Sequence, residues 1–282
     1  MDDRSWTRSV ATPIDAADGA PSPAPRNSML DVLALIDARV DDPAAAASYP
    51  ASLRRLHTGE ALFHEGSAAT SIYFVRAGTF KTFSTAEDGY EQVLGFSLRT
   101  ELLGFDAICM DHHPTAAVAL EESSVYGILV RDLFGIGMRI PALDRQLHRA
   151  TSVALAHSLE LADVMAAVSA EVRLARFLVQ WSRRMAACGQ SPRRFHLRMS
   201  RRDIASYLGV AHETVSRSFS ALQAWGLLHV TNRDVEILDL PALTTFARST
   251  RKTLDERHAS QLAAFDHRHH LPRPASAPYA MA

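Results

Sequence analysis

The stretch SRRDIASYLGVAHETVSRSFSALQAWGLL, residues 200–228, decides the fold of this chain. Ser200 followed three residues later by Asp203 forms a short capping box, which marks the start of a helix. Apolar residues at helical spacing then predict a short helix that ends at Gly209, where a positive φ costs little. A second apolar pattern of the same period follows. The stretch therefore predicts two helices joined by a tight four-residue turn.

The polar side of the second helix opens with side chains that can bond base edges. Glu213, Ser216 and Arg217 share the first exposed turn because their offsets are three and four, and His212 precedes them. Arg can donate two hydrogen bonds to O6 and N7 of guanine, Glu can accept one from N4 of cytosine, and Ser can bond either base. A helix-turn-helix inserts its second helix into the major groove by this end. The alternative is an ordinary αα-hairpin with a solvated polar face.

Two features around the motif favour DNA. The β-prone runs 228–231 and 235–238 flank a turn at 232–234, which predicts a β-hairpin "wing". Residues 173–233 carry eleven Arg, no Lys and two acids, hence +9, whereas the whole chain has a net charge of −1. Such local basicity is the electrostatic footprint of a phosphate-binding face.

Length and composition exclude several other classes. The chain has 282 residues, enough for two domains with cores. A membrane-spanning helix needs about 18 consecutive apolar residues, and every apolar run in this sequence is much shorter. The N-terminal segment is polar and does not have the pattern of a signal peptide. We therefore expect a cytoplasmic protein without a membrane partner. Two cysteines, Cys109 and Cys188, are too few for a disulfide framework or a four-Cys metal site.

The segments before the long helix predict an α+β protein with a sensor-like N-terminal domain. Residues 1–28 are rich in Pro, Ala, Ser and Asp, which predicts a disordered tail. Residues 29–140 begin with a helix at 29–40 and a loose connector at 41–49. Runs of period two then predict an antiparallel β-roll. These runs are 61–64, 72–77, 79–84, 92–96, 116–120 and 125–130.

Residues 141–170 form one long helical pattern without an internal Gly or Pro. A helix of that length spans about 45 Å, more than its own domain could cover, so we predict a homodimer built on this helix. Packing within one subunit is the alternative. The stripe expected to face the partner helix is Leu143, Leu147, Ala150, Ala154, Leu161 and Met165.

The rest of the chain comprises the DNA-binding module and a tail. Residues 171–247 hold a further amphipathic helix, at 171–186, and then the winged helix-turn-helix. Residues 248–282 form a polar C-terminal tail with room for one short helix at 253–265. Its histidines could suggest a metal site, but a solvated tail is the favoured interpretation. These are His258, His267, His269 and His270.

This order of elements resembles the Crp/Fnr family of bacterial transcription regulators. The likeness covers roughly residues 52–247 and is specific in residues 59–66, 72–78, 104–114 and 201–217. The last two blocks are similar to the oxygen- and redox-responsive Fnr branch. The resemblance implies a cyclic-nucleotide-binding-like roll and a homodimeric activator on a palindromic TTGAT-type site.

The resemblance also implies roles for individual residues. Glu213, Ser216 and Arg217, with His212 beside them, would read bases, because the branch uses a Glu-x-x-Ser-Arg arrangement for its half-site. Phosphate contacts, which position a protein without reading sequence, would come from Arg201, Arg202 and Thr214.

A second interaction surface follows from the same resemblance. Residues 86–91 look like the acidic loop with which family members contact RNA polymerase. The residues that would make this contact are Glu87, Asp88, Gly89 and Glu91. A plain β-turn is the alternative interpretation.

The sequence departs from the family at both of its cofactor sites. The cyclic-AMP position is matched by residues 104–106 and 114–115, which offer no Arg for the cyclic phosphate. An unpaired buried phosphate would be costly, so cyclic AMP is not expected. The four-Cys [4Fe–4S] cluster of the Fnr branch is not expected either, since no Cys precedes Cys109 and Tyr126 takes the position of the roll's ligand. We therefore expect no cofactor.

Two other functions compete with this interpretation. One is a regulator whose DNA binding requires haem or a small molecule in the roll. No pattern singles out a haem ligand among His57, His64, His112, His113, His148 and His157. The other is an enzyme, which is not predicted because no paired carboxylates or nucleophile–base set can be placed.

The favoured interpretation of each thiol is a passive one, and a sensing or reactive thiol is the alternative. Cys109 follows apolar residues, which predicts a buried core thiol. Cys188, beside two Arg, is expected to be exposed, either as a passive thiol or with a lowered pKa.

Overall fold

The structure is a computed structural model that describes residues 27–167 and 169–249. Nearly all of the predicted N-terminal tail, and the C-terminal tail from residue 250 with its possible helix and its histidines, lie outside the described residues. None of the helices within these two ranges combines the length and the apolar character needed to cross a bilayer.

The N-terminal domain is the predicted roll of two four-stranded antiparallel sheets. One sheet has the order β1-β8-β3-β6 and the other β2-β7-β4-β5. The strands are β1 (Ser52–Leu56), β2 (Ala61–Phe63), β3 (Ser71–Ala77), β4 (Phe80–Thr85), β5 (Glu91–Ser97), β6 (Leu102–Leu103), β7 (Ala116–Ala119) and β8 (Ser123–Leu129). All six predicted runs are strands within two residues of their expected ends. The edge strands β1 and β6 were not among them.

The corner between β3 and β4 agrees with the predicted roll, whereas the segment 41–49 differs from its prediction. Gly78, between β3 and β4, has φ +94°, and a Cβ atom there would lie only 2.9 Å from the Cα atom of Ser123. The corner therefore requires glycine. The connector expected at 41–49 instead contains a helix, α2 (Pro43–Ser48), capped by Asp42, whose carboxylate accepts from the Ala45 N–H. An N-cap Asp followed by proline at the first helical position is a signal for the start of a helix. The prediction of a connector rested on the Ala tract and did not take this signal into account.

Three helices frame the roll. They are α1 (Met29–Leu35), α3 (Val130–Arg139) and α4 (Pro141–Met165). The predicted single helix over 141–170 is too long, because α4 ends at Met165 and α5 (Ala170–Ala187) begins after a break. Ser169 caps α5 by accepting from the Val172 N–H at 3.3 Å.

The open face of α4 differs from the predicted stripe. Leu143 is fully buried in the core of the roll, and Leu147 packs half-buried against the same core. Leu143 is therefore unavailable to a partner helix, contrary to expectation. Leu155 and Leu159, four residues apart on one side, are 63% and 65% exposed. Their side of the helix, about a third of a turn away from the predicted stripe, carries the largest exposed apolar side chains of α4.

The C-terminal domain is a winged helix-turn-helix. Its elements after α5 are β9 (Arg194–His196), α6 (Arg201–Leu208), α7 (His212–Ala224), β10 (Leu228–Thr231), β11 (Asp234–Ile237) and α8 (Leu240–Ala247). The wing strands β10 and β11 pair as predicted, and β9 adds an unpredicted third strand to β11. Val215, Phe219 and Leu222 of α7 are buried against α5, whereas Trp225 remains partly exposed beside Phe246.

One hydrophobic core joins the two domains. It contains residues of β4 and β5 together with α5 and the helix-turn-helix. At its centre the ring of Phe96 in β5 lies 6.1 Å from that of Phe177 and 5.5 Å from that of Tyr207, between ring centroids. Trp181 meets Phe96 edge-on at 6.2 Å. The DNA-binding domain is thus packed directly on its own roll.

Polar contacts reinforce this junction. The Ser206 hydroxyl in α6 donates to the Glu91 carbonyl at 2.7 Å and accepts from the Val93 N–H at 2.8 Å. Lys81 of β4 pairs with Asp203 at 3.2 Å and with Glu91 at 2.7 Å. Burial alone would lower the pKa of Lys81, but its bonds to the two carboxylates outweigh burial and raise that pKa. The lysine is therefore charged at neutral pH.

We predict that Ser206→Ala destabilises the junction. The change removes two hydrogen bonds and leaves the Glu91 carbonyl and the Val93 N–H without this buried partner, which costs about 1–3 kcal/mol. Urea unfolding, followed by tryptophan fluorescence, measures the loss. Ser220→Ala is the control, since the Ser220 hydroxyl is exposed and bonds only the Ser216 carbonyl of its own helix. Equal unfolding midpoints for Ser206→Ala and the unmodified protein would contradict the assignment.

Candidate nucleic-acid interface

The helix-turn-helix is held by the capping chemistry that its sequence predicts. The Ser200 hydroxyl accepts from the Asp203 N–H at 3.1 Å, and the Asp203 carboxylate accepts from the Ser200 N–H at 2.8 Å. Gly209 ends α6 with φ +61°, and the methyl end of Met165 lies 2.5 Å from where a Cβ atom would stand. Ala211 caps α7 without a side-chain bond. The turn between the helices therefore contacts the last residue of α4.

The four predicted base-reading residues all point into solvent at the start of α7. His212, Glu213, Ser216 and Arg217 are exposed. Their own contacts are weak: Arg217 lies 3.4 Å from the Thr214 hydroxyl, and Ser216 donates to the His212 carbonyl at 3.4 Å. The Arg217 guanidinium, the Glu213 carboxylate and the Ser216 hydroxyl are thus available on one exposed side of α7, as readout of bases in the major groove requires.

The predicted phosphate-contacting residues differ from one another in their surroundings. Arg202 is exposed and has no polar partner within residues 27–167 and 169–249, and Thr214 is half-buried next to Arg217. Arg201 is engaged: its guanidinium carbon lies 3.6 Å from the ring centroid of Phe219, and its Nη2 donates to the Asn232 carbonyl at 2.9 Å. Burial, helped by the charge of Arg233, lowers the pKa of Arg201 to about 10.

Much of the Arg-rich charge found in the sequence serves packing. Arg173 donates to the Leu208 carbonyl, Arg176 pairs with Asp163, and Arg184 makes a bidentate pair with Glu101 at 2.7 and 3.2 Å. In the wing, Arg194 pairs with Glu236 at 2.6 Å. The footprint of +9 is therefore spread over several faces, and only part of it can meet a nucleic acid.

The predicted polymerase loop is the tip of the β4–β5 hairpin. Glu87, Asp88 and Gly89 are exposed there, and the Asp88 carboxylate accepts from the Tyr90 N–H at 3.0 Å in a turn with Gly89 at φ +82°. Glu91, at the base of the loop, pairs with Lys81. Three of the four residues are thus presented at the tip, while the fourth anchors the hairpin.

The region that matches a nucleotide pocket does not fit a cyclic phosphate. Residues 104–115 contain two Asp and neither Arg nor Lys. The Asp106 carboxylate accepts from the Thr115 hydroxyl at 3.1 Å, so a negative group stands where a phosphate would need a positive one. His113 is 2% exposed and stacks on Phe63 with 3.9 Å between ring centroids. Its Nδ1 atom is buried without a hydrogen-bond partner in the described structure.

The two cysteines also differ from expectation. Cys109 is exposed and is not the core thiol that its apolar neighbours suggested. Cys188 is half-buried, and burial, reinforced by Glu101, raises the pKa of its thiol. The charges of Arg184 and Arg99 act to lower that pKa, but they are outweighed. Within the described ranges, no three His, Cys, Asp or Glu side chains cluster as metal ligands.

Comparison with known proteins agrees with this architecture. Residues 172–246 match the model of the Crp-like helix-turn-helix domain, and residues 53–139 match that of the cyclic nucleotide-binding domain. The fumarate and nitrate reduction regulatory protein of Salmonella typhimurium is 39% identical over 196 residues, 70% of this chain and 78% of that protein. The transcriptional activator protein Anr of Pseudomonas protegens is 40% identical over 186 residues, 66% of this chain and 76% of that one.

A solved structure extends the comparison to three dimensions. The structure of FixK2 from Bradyrhizobium japonicum matches with a TM-score of 0.64 and 27% identity, covering 71% of this chain and 98% of that one. A β-roll followed by a winged helix-turn-helix with an open recognition helix defines a DNA-binding transcription regulator, not an enzyme. The matches to the regulatory proteins of Salmonella and Pseudomonas show that the chain belongs to the Crp/Fnr family.

We predict that His113 makes the roll sensitive to acid. Burial lowers the pKa of His113, although Asp106 opposes the shift. The unfolded chain therefore binds the proton more readily, and stability falls as pH drops below the unfolded value of about 6.5. Urea unfolding at several pH values between about 7.5 and about 5, a range that spans the unfolded value, measures this slope.

Two variants check the assignment. His113→Phe keeps a ring against Phe63 and should flatten the pH slope. His57→Gln, which removes an imidazole from the surface, is the control. An unaltered slope in His113→Phe would contradict the prediction.

Proposed function

We propose that this protein is a cytoplasmic, homodimeric transcription activator that reads a palindromic TTGAT-type DNA site. The observation that carries the proposal is the single exposed turn of α7 on which Glu213, Ser216 and Arg217 stand without strong partners. Their chemistry suits cytosine and guanine edges. Arg202 and Thr214 would contact the flanking phosphates and set the register of the helix in the groove.

A second copy of the chain is the partner we infer for α4. Leu155 and Leu159 expose most of their apolar surface on one side of a 25-residue helix, and burying such a stripe against its symmetry mate is favourable. Ala154, Leu161 and Met165 of the predicted stripe lie about a third of a turn away from this side, and Ala150 is half-buried further back along the helix. Two recognition helices would then engage half-sites about one helical turn of DNA apart.

We further propose that DNA binding requires neither a cyclic nucleotide nor an iron–sulfur cluster. The presence of two Asp and the lack of Arg and Lys within residues 104–115 support the first point. The second point, independence from an iron–sulfur cluster, is supported by the cysteine count: the sequence has two cysteines, and a four-Cys cluster needs twice as many. One of them is exposed, and the other is half-buried with a raised pKa. The rival, a haem-dependent regulator, makes a separate claim: purified protein would show a Soret absorbance band and would bind DNA only in that form.

RNA polymerase is the second macromolecular partner we propose. Glu87, Asp88 and Gly89 form the exposed acidic tip of the β4–β5 hairpin. The same hairpin holds α6 through Ser206, so a polymerase subunit docked on the tip would be held at a set distance from the bound DNA.

Selection of bound fragments from random duplex DNA, with and without air, tests the proposal as a whole. The expected outcome is enrichment of inverted TTGAT-type repeats under both conditions. Enrichment of unrelated sequences would overturn the site assignment, and enrichment only without air would overturn independence from a redox cofactor.

At the level of one residue, we predict that Arg217→Ala weakens binding to the selected site by about 1–3 kcal/mol and relaxes the choice at one base pair. Fluorescence anisotropy with the selected duplex and its single-base variants measures both effects. Arg202→Ala is the matched control, since loss of a phosphate contact should weaken all duplexes alike. Equal losses on selected and random DNA for Arg217→Ala would contradict a base-reading role.

For the dimer, we predict that the double variant Leu155→Asp/Leu159→Asp is a monomer. Two carboxylates on the apolar side of α4 would have to be buried unpaired in the helix pair. Sedimentation velocity measures the mass. Met138→Asp is the control, because Met138 is 86% exposed on the neighbouring helix α3 and should leave the dimer intact. A dimeric double variant would show that another surface joins the subunits.

A further inference from the structure

We propose that Arg176 is a positioning residue that holds the DNA-binding domain at one angle to the long helix α4 and thereby sets the spacing of the two half-sites. The inference deepens the proposed function and rests on it in taking α4 as the dimer helix and α7 as the base-reading helix. The role belongs to one side chain beside the break between α4 and α5, where the chain passes from the roll to the DNA-binding domain.

The first observation is that Arg176 joins two other helices to α5. Its Nη1 atom donates to the Asp163 carbonyl and lies 2.9 Å from a carboxylate oxygen of the same residue, in the last turn of α4. Its Nε atom donates at 2.8 Å to the carbonyl of Ala247, the last residue of α8. The Arg176 side chain is 16% exposed, so water competes little for these bonds.

The second observation is the kind of acceptor that these bonds use. The last carbonyls of a helix have no partner within the helix, and the end of the helix carries a partial negative charge. Arg176 supplies a positive donor to the ends of α4 and α8. Arg173, one turn earlier in α5, does the same for α6, because its Nη1 donates at 2.9 Å to the carbonyl of Leu208, the last residue of that helix. Two arginines of α5 therefore hold the C-terminal ends of three helices.

The third observation is that the break between α4 and α5 is also fixed by its own residues. Arg173 Nε donates to the Ala167 carbonyl at 3.3 Å, and the side chains of Val164 and Ala167 are buried in the core that joins the two domains. Arg176 adds the connection that runs from α4 across the break to α5. The angle between these two helices is thus held by polar and apolar contacts together.

A fixed angle has a consequence for the DNA site. In a dimer built on α4, the two recognition helices reach half-sites about one turn of DNA apart only if both domains keep the same angle to α4. One base pair added or removed between the half-sites rotates one of them by about a tenth of a turn. A rigid junction discriminates against such duplexes, whereas a loose junction tolerates them and gains less from binding both half-sites at once.

The experiment compares Arg176→Gln, Arg176→Lys, Asp163→Ala and Arg183→Gln in the full chain. Fluorescence anisotropy measures binding to three kinds of duplex: the TTGAT-type inverted repeat, the same repeat with one base pair added or removed between its half-sites, and a single half-site. Amide hydrogen exchange of residues 162–167 is measured without DNA. Arg183→Gln is the matched control, because Arg183 is an exposed arginine of the same helix.

We expect Arg176→Gln to bind the single half-site within about twofold of the unmodified protein, to bind the full repeat about tenfold more weakly, and to lose most of its discrimination between spacings. The amides of residues 162–167 should exchange faster. Arg176→Lys keeps the charge but not the planar fork that reaches two helices at once, so it should behave like Arg176→Gln.

Two further variants complete the expected pattern. Asp163→Ala removes one acceptor of Arg176 at a position whose side chain is 67% exposed. It should weaken binding to the full repeat by about threefold, and it carries the test if Arg176→Gln does not fold. Arg183→Gln should leave both the spacing preference and the exchange of residues 162–167 unchanged.

Equal losses on the half-site and on the full repeat in Arg176→Gln would show that the residue serves only the stability of the fold and would overturn the proposal. Unchanged discrimination between spacings, or its recovery in Arg176→Lys, would overturn it as well. Failure of the proposed function is a separate outcome, in which the unmodified protein binds the full repeat no better than a random duplex. In that case the exchange of residues 162–167 decides whether Arg176 holds the junction, and unchanged exchange in Arg176→Gln would contradict that role.

Discussion

The position of the recognition helix depends on one polar contact, the seating of the Ser206 hydroxyl between the Glu91 carbonyl and the Val93 N–H. The contact joins the first helix of the DNA-binding motif to an edge strand of the roll, so it bridges parts of the chain more than a hundred residues apart. The Val93 N–H is buried with the hydroxyl and the bond to the Glu91 carbonyl is partly buried, so losing this partner would be costly. The orientation of α7 relative to the roll follows from this docking.

Around this contact a shared hydrophobic core joins the roll to the DNA-binding domain. Phe96 of the roll packs against Phe177 and Trp181 of α5, and Arg184 of the same helix closes the border by pairing with Glu101. Several arginines that give the second half of the chain its positive charge are therefore structural. Arg202 at the start of α6 and Arg217 near the start of α7 are exposed, so their charges remain available to DNA.

The helix-turn-helix could be predicted from sequence because its signals are local: the Ser200–Asp203 box and Gly209 act within a few residues. The roll could also be predicted, because the alternation of apolar and polar residues and the turn signals are local as well. Properties that depend on contacts distant in sequence could not be predicted. Strand β9 exists only through pairing with β11, Leu143 is buried because the roll folds over the start of α4, and Arg201 is engaged because the wing returns to it. Exposure of Cys109 likewise depends on how its loop lies.

The missing side chain of Gly209 brings the end of α4 against the elbow of the helix-turn-helix, where the Met165 methyl group fills the space a Cβ atom would take. The end of the long helix is thus in direct contact with the turn of the helix-turn-helix. In the proposed dimer, a change in how two α4 helices cross would displace the Met165 methyl group and so act on that turn. Pairing of the subunits would then be coupled to DNA recognition through the side chain of Met165.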